Sequence, residues 1–178
     1  MALLTRYFRD PNRRVHLLKK RVLIACSGGL DSRALLHAMQ QESARASMTL
    51  AIVHLNHRLR GRAAEQDACF CQSLADAAAI QAFIGELDVQ EFATTHGLGL
   101  EAAGRRARYA FLAHAAELFN ADVVVTAHTA SDQAETLLLR IARGTGVDGL
   151  SGIPAVRSMT EQEVQLAREL FGSGKACP

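Results

Sequence analysis

Residues 22–36 read VLIACSGGLDSRALL, and this stretch limits the folds open to the chain more than any other. Val22, Leu23, Ile24 and Ala25 form a continuous apolar run too short for a helix, which suits a strand buried on both faces. Cys26 closes the run. After Ser27-Gly28-Gly29-Leu30-Asp31-Ser32 comes an apolar pattern at Ala34, Leu35, Leu36, Ala38 and Met39 that suits a helix. The glycines therefore fall between a strand end and a helix start. There the backbone N–H groups and the positive end of the helix dipole favour an anion. Gly28 and Gly29 lack a Cβ, which permits unusual φ angles and the close approach of a phosphate. No lysine follows them in the G-x-x-x-x-G-K-[ST] spacing, and the pattern is not G-x-G-x-x-G. Gly172-Ser173-Gly174-Lys175 has no strand before it and no helix after it, so it is set aside. Two glycines alone would be explained by a plain strand-to-helix turn. Ser27, Asp31 and Ser32 around them favour a phosphate cradle.

The remaining strands and helices follow from patterning. Residues 48–54 (MTLAIVH) read as a second buried strand, 82–87 as a weaker third and 121–127 (ADVVVTA) as a fourth. Helices are expected over 63–79, 100–119, 130–143 and 161–171, with a short one near Leu3, Leu4, Tyr7 and Phe8. Residues 89–99 read as irregular, with a helical turn before His96-Gly97. Apolar strands alternating with helices argue for an α/β fold, a parallel sheet covered on both faces. Such a sheet binds ligands at the carboxyl ends of its strands. Three polar sets fall there: SGGLDS after the first strand, HLNHRLR after the second, HTASDQAET after the fourth.

At 178 residues and 49% apolar content the chain is one domain, or one domain with a tail. A net charge of +2 excludes a global nucleic-acid signal and leaves only a local patch. A basic lead-in over 1–20 carries Arg13, Arg14, Lys19 and Lys20, and this charge run, continued by Arg21, is either a solvated face or an RNA-facing surface. The four cysteines are Cys26, Cys69, Cys71 and Cys177, with no CxxC. Cys69 and Cys71 diverge on a helix, and the expected setting is reducing and cytoplasmic, without disulfides. Neither a signal peptide nor a transmembrane span is expected.

Several constellations stay open by spacing alone. His54 and His57 flank a turn and are structural or ligand-contacting rather than metal ligands, which would need a third partner such as His128. Arg58, Arg60 and Arg62 hold phosphate, of ATP or of RNA, or are ordinary surface arginines. Glu101, Arg105 and Arg108 share one helix face, and by spacing alone a solvated Glu-Arg pair is the favoured explanation. Asp132 and Glu135, i and i+3 at a helix start, can face one way and share Mg²⁺ with phosphates, or simply complement the helix dipole.

SGGLDS resembles the PP-loop of the ATP pyrophosphatases. With HLNHRLR, EAAGRRARYAFL, TAHTASDQAETLLLR and RGTGVDGLSGIP in this order, residues 20–157 resemble the N-terminal catalytic domain of the tRNA(Ile)-lysidine synthase family. The resemblance implies a three-layer Rossmann-like sheet of the adenine nucleotide alpha hydrolase type. It implies a ligase that adenylates C2 of the anticodon wobble cytidine, releases pyrophosphate and joins the ε-amine of lysine. The implied cofactors are ATP and Mg²⁺. The implied partners are tRNA(Ile) with a CAU anticodon and free L-lysine; a homodimer stays open, and no membrane is involved. Ser27, Gly28, Gly29, Leu30, Asp31 and Ser32 would hold the phosphates, with Asp31 and Asp132 at Mg²⁺. Asp31, Arg105, Arg108, His128, Asp132 and Glu135 would form the catalytic set.

Three departures stand out. Ser131 replaces the first aspartate of the family's HxxDDxxET block. Gly104 interrupts a helix at a cost of about 1 kcal/mol. Residues 158–178 do not resemble the family's following strand and helical tRNA-binding domains, so a catalytic domain over 21–157 with an atypical tail is expected. Two readings compete: a PP-loop tRNA sulfur-transfer enzyme, which would want paired cysteines, and a truncated, non-catalytic ATP-binding fragment. A flavodoxin-like binder fits the fold but leaves Asp31 and Ser32 without a role.

Overall fold

The computed structural model describes residues 17–127 and 158–172. Four strands, β1 (Arg21–Ala25), β2 (Thr49–Asn56), β3 (Gln81–Glu86) and β4 (Val123–Thr126), form one sheet in the order β3-β2-β1-β4. Every pairing is parallel. Five helices connect and cover them: α1 (Leu30–Ala46), α2 (Arg62–Ala78), α3 (Val89–Thr95), α4 (Leu100–Phe119) and α5 (Glu161–Phe171). The chain steps outward from β1 through β2 to β3, then returns through α3 and α4 to place β4 on the other side of β1. The reversal of direction beside β1 opens a crevice at the carboxyl ends of the strands.

The period-2 alternation of strand side chains splits the core into two layers. Val22 and Ile24 of β1, with Leu50 and Ile52 of β2, face Leu36 and Met39 of α1 and Cys71 and Ala75 of α2. Leu23, Ala51, Val53 and Phe83 face Phe111, Leu112, Ala115 and Phe119 of α4. Val22, Leu23 and Ile24 have no exposed surface, and burial of each contributes about 1.5–3 kcal/mol. The expected three-layer α/β architecture is present, with helices on both faces of the sheet. On the α4 side the packing is close: a Cβ at Gly85 of β3 would collide with the Phe111 ring.

Three local readings are refined. β2 runs to Asn56, so Leu55 and Asn56 belong to the strand and not to the polar loop, and His54 lies within the strand as expected. Pairing of Asn56 with Glu86 extends the ladder past the apolar run that marked it. Residues 89–95 form a helix, capped by the Asp88 carboxylate, which accepts from the Glu91 N–H at 2.9 Å. At seven residues it is too short for its period to show in the sequence. Of the basic charge run, Lys20 and Arg21 serve the fold. Lys20 Nζ pairs with Asp122 at 3.2 Å, and Arg21 donates from Nε to the Phe119 carbonyl and covers that ring at 4.3 Å. The Arg21 N–H, then Lys20, hold the Asp122 carboxyl below its usual range.

α5 opens with a capping box between Thr160 and Glu163. It packs on α4, with the Phe171 ring 5.0 Å from Phe111 and 5.6 Å from His114. Burial holds the His114 imidazole below its ordinary pKa. The expected helices near residue 3 and over 130–143 lie outside the described residues, as do Arg13 and Arg14. Among the described residues no helix is long and apolar enough to cross a membrane.

Candidate functional site

A cavity of about 490 Å³ lies at the carboxyl ends of β1, β2 and β4. Ser27, Gly29, Asp31 and Ser32 reach it from the β1–α1 connection, and His54, Asn56 and His57 from the end of β2. Arg60 and Asp67 border it from the next connection and α2, Arg108 and Tyr109 from α4. The polar sets after strands one and two therefore meet at one place, as the parallel topology requires.

The β1–α1 turn is built around one hydroxyl. Ser32 is buried, and its Oγ accepts from the Ser27 N–H at 3.2 Å and the Ser27 hydroxyl at 3.3 Å, and donates to the Gly29 carbonyl at 2.9 Å. The Gly29 N–H in turn donates to Ser27 Oγ at 3.4 Å. Gly28 sits at φ +80°, a conformation L side chains rarely adopt, and a Cβ there would lie 3.2 Å from Asp67 Oδ1. Gly29 is the N-cap of α1, with no side-chain cap on the first N–H groups of that helix. An uncapped helix N-terminus beside a glycine turn suits a phosphate.

Beneath the turn lies a pair of thiols. Cys26 is buried, and its Sγ lies 3.7 Å from Ser32 Oγ. The neighbouring Cys71 thiol holds the Cys26 thiol below its ordinary pKa, against the opposing effect of burial; the Gly28 N–H and Ser32 add to the lowering. Cys71, the donor to Cys26, is pushed up. His54 Nδ1 lies 2.8 Å from the Cys26 carbonyl, which can only accept, so Nδ1 carries the proton. Nε2 is buried and without a hydrogen-bond partner. No group of three metal-ligating side chains occurs among the described residues. His57 is pushed down to about 4, by burial first and then by the positive charges of Arg108 and Arg60. It is therefore neutral at pH 7.

Of the residues expected at the site, Ser27, Gly29, Asp31, Ser32 and Arg108 surround the cavity. Gly28 backs the turn against Asp67. The Leu30 side chain is 77% exposed and points away, which leaves only its backbone for a phosphate. Arg105 is exposed and stands outside the lining, with its guanidinium 5.1 Å from the Tyr109 ring. His128, Asp132 and Glu135, with Ser131, lie outside the described residues. Asp67 is a site residue that sequence reasoning missed. Its position in the first turns of α2 marks it only as an acid complementing a helix dipole. Gly104 answers no steric demand: a Cβ would lie 3.4 Å from His57 Nδ1 and 3.7 Å from Val89 Cγ1, ordinary contacts that alanine meets.

The residues present fit a nucleotide and a cation that keeps much of its water. The turn supplies N–H donors, Arg60 and Arg108 supply positive charge, and Asp31 supplies a carboxylate.

Comparison with known proteins agrees with this geometry. The model of the PP-loop domain matches residues 5–177. A tRNA(Ile)-lysidine synthase of Clostridium acetobutylicum is 39% identical over 137 residues, 77% of this chain and 30% of that protein. The synthase of Geobacter sulfurreducens is 43% identical over 136 residues, 76% of this chain and 29% of the relative. That of Symbiobacterium thermophilum is 39% identical over 155 residues, 87% and 32% respectively. The chain thus spans about 30% of the length of these curated relatives. Among solved structures, the U34-tRNA thiolase NcsA from Methanococcus maripaludis, described with its [4Fe-4S] cluster, superposes with a TM-score of 0.63 at 18% identity. That match covers 94% of this chain and 61% of the thiolase, and it shows a shared fold.

Proposed function

This chain belongs to the family of PP-loop domains, and on that premise we propose that it carries the ATP-using centre of a tRNA(Ile)-lysidine synthase reaction. In this reading ATP lies with its phosphates on the turn of Ser27, Gly28, Gly29, Leu30, Asp31 and Ser32. C2 oxygen of the wobble cytidine in the CAU anticodon of tRNA(Ile) attacks the α-phosphate, and pyrophosphate leaves. The ε-amine of free lysine then displaces AMP and forms the new C–N bond. Arg108 neutralises charge near the reacting phosphate, and Arg105, outside the cavity, meets the RNA. Asp31, with Asp132, holds Mg²⁺, which supplies charge neutralisation to the phosphates. His128 and Glu135 complete the catalytic set by motif. Such a reaction depends on positioning and charge more than on covalent help from the protein. Its substrates place it in the cytoplasm.

The observation that carries this reading is the convergence on one cavity of the β1–α1 turn, the end of β2 and Arg108 of α4. The test is incubation with ATP, Mg²⁺, tRNA(Ile) and labelled lysine, following both pyrophosphate and label in tRNA. Pyrophosphate release that depends on the tRNA, with label transfer, is the expected result. Ser131, in place of an aspartate, favours a second reading, a nucleotide-binding module without turnover. ATP binding without pyrophosphate release would select it.

A further inference from the structure

Arg58, Arg60 and Arg62 are equivalent by sequence, but of the three only Arg60 lines the cavity. The backbone decides this. Asn56 Oδ1 accepts from the Arg58 N–H at 2.8 Å, Arg58 adopts φ +57°, and Gly61 at φ +49° starts α2. The turn carries the Arg60 side chain back over α2, where Nη2 donates to Asp67 Oδ2 at 2.7 Å. The other oxygen of that carboxylate faces Gly28, so the Arg60 guanidinium is tethered to the group that backs the phosphate turn.

We propose that Arg60 receives the β- and γ-phosphates of ATP, and so the departing pyrophosphate, with Asp67 as the positioning residue that holds its guanidinium beside the turn. This rests on the nucleotide reading above. The turn has no lysine of its own, and pyrophosphate is the most highly charged species the site must hold. Arg60 and Arg108 are the only arginines or lysines among the described residues that line the cavity, and Arg108 enters from α4, next to His57. One Arg60 N–H is engaged by Asp67, and the rest of the five-donor fork is left for a bidentate phosphate contact. The arginine also cancels a carboxylate that would otherwise repel phosphate. The Arg60 side chain is 70% exposed, so the ion pair contributes little to stability and its consequence is placement.

The test is calorimetric titration of the full chain with ATP, inorganic pyrophosphate and AMP. Arg60→Ala should weaken pyrophosphate and ATP about tenfold or more, the scale of a charge-assisted contact, while AMP affinity and the thermal midpoint stay unchanged. Arg60→Lys should recover only part of the loss, because the charge remains and the fork does not. Asp67→Asn should weaken pyrophosphate when Arg60 is present and strengthen it in the Arg60→Ala background, where the carboxylate only repels. Equal loss for pyrophosphate and AMP, or no loss for either, overturns the assignment of Arg60. The same sign for Asp67→Asn in both backgrounds overturns the positioning role. If the unaltered chain binds neither ATP nor pyrophosphate, the nucleotide reading itself fails, an outcome distinct from the other two.

Discussion

The connections at the tips of β1 and β2 face the same cavity and are held in different ways. The first is held from inside: the buried Ser32 hydroxyl serves two donors and one acceptor within the turn. The second is held from outside, by an Asx turn at Asn56, two residues with positive φ and an exposed Arg60–Asp67 pair. A buried hydrogen-bonded hub is costly to disturb, whereas an exposed ion pair exchanges partners at little cost. One loop is thus a preformed cradle, and the other is an arm free to transfer its donors to an anion. They meet at Gly28, whose missing side chain leaves room for Asp67.

The largest effect should come from removing the hub. Ser32→Ala takes the acceptor from the Ser27 N–H, while the Gly29 carbonyl keeps only the Arg33 N–H, costing about 2 kcal/mol of stability in urea unfolding and on the order of tenfold in ATP affinity. Unchanged ATP affinity would mean that the turn does not depend on that hydroxyl. Next, Gly28→Ala forces a Cβ into a left-handed conformation, at about 1–2 kcal/mol, and crowds Asp67. Because Asp67 holds Arg60, pyrophosphate affinity should fall as well, so a loss of stability alone would uncouple the two loops.

The smallest effect concerns His57, at the root of the second loop. Its folded pKa lies near 4 against 6.5 for the ordinary side chain. Between those values the unfolded chain binds a proton that the folded chain refuses. Stability is therefore full above pH 6.5 and falls as pH drops toward 4, by on the order of 1 kcal/mol after discounting for solvent screening of this half-buried ring. His57→Gln should flatten that part of the pH–stability curve, and an unaltered slope would place the titration elsewhere.

Much of this architecture was legible in advance. α4 and α5 span the residues expected from their apolar periodicity, and β1, β2 and β4 announced themselves as apolar runs. Where burial and local pattern coincide, a one-dimensional reading suffices. α3 escaped it because seven residues hold barely two turns, and the end of β2 because Asn56 is a polar residue paired within the sheet. Of the candidate site, the glycine turn was legible because small residues with two hydroxyls and an acid between a strand and a helix have a specific chemical use.

The sequence by itself determined the alternation of strands and helices, the edge of the sheet where polar residues gather, and the glycine turn of residues 27–32 between a strand and a helix. Only the tertiary structure decided which of three arginines meets the cavity, that Arg108 lies on it while Arg105 stacks outside, and that Asp67 backs the turn. The reason is physical. Periodicity reports which face of an element is buried, whereas contacts between loops depend on dihedral angles and packing that bring distant residues together.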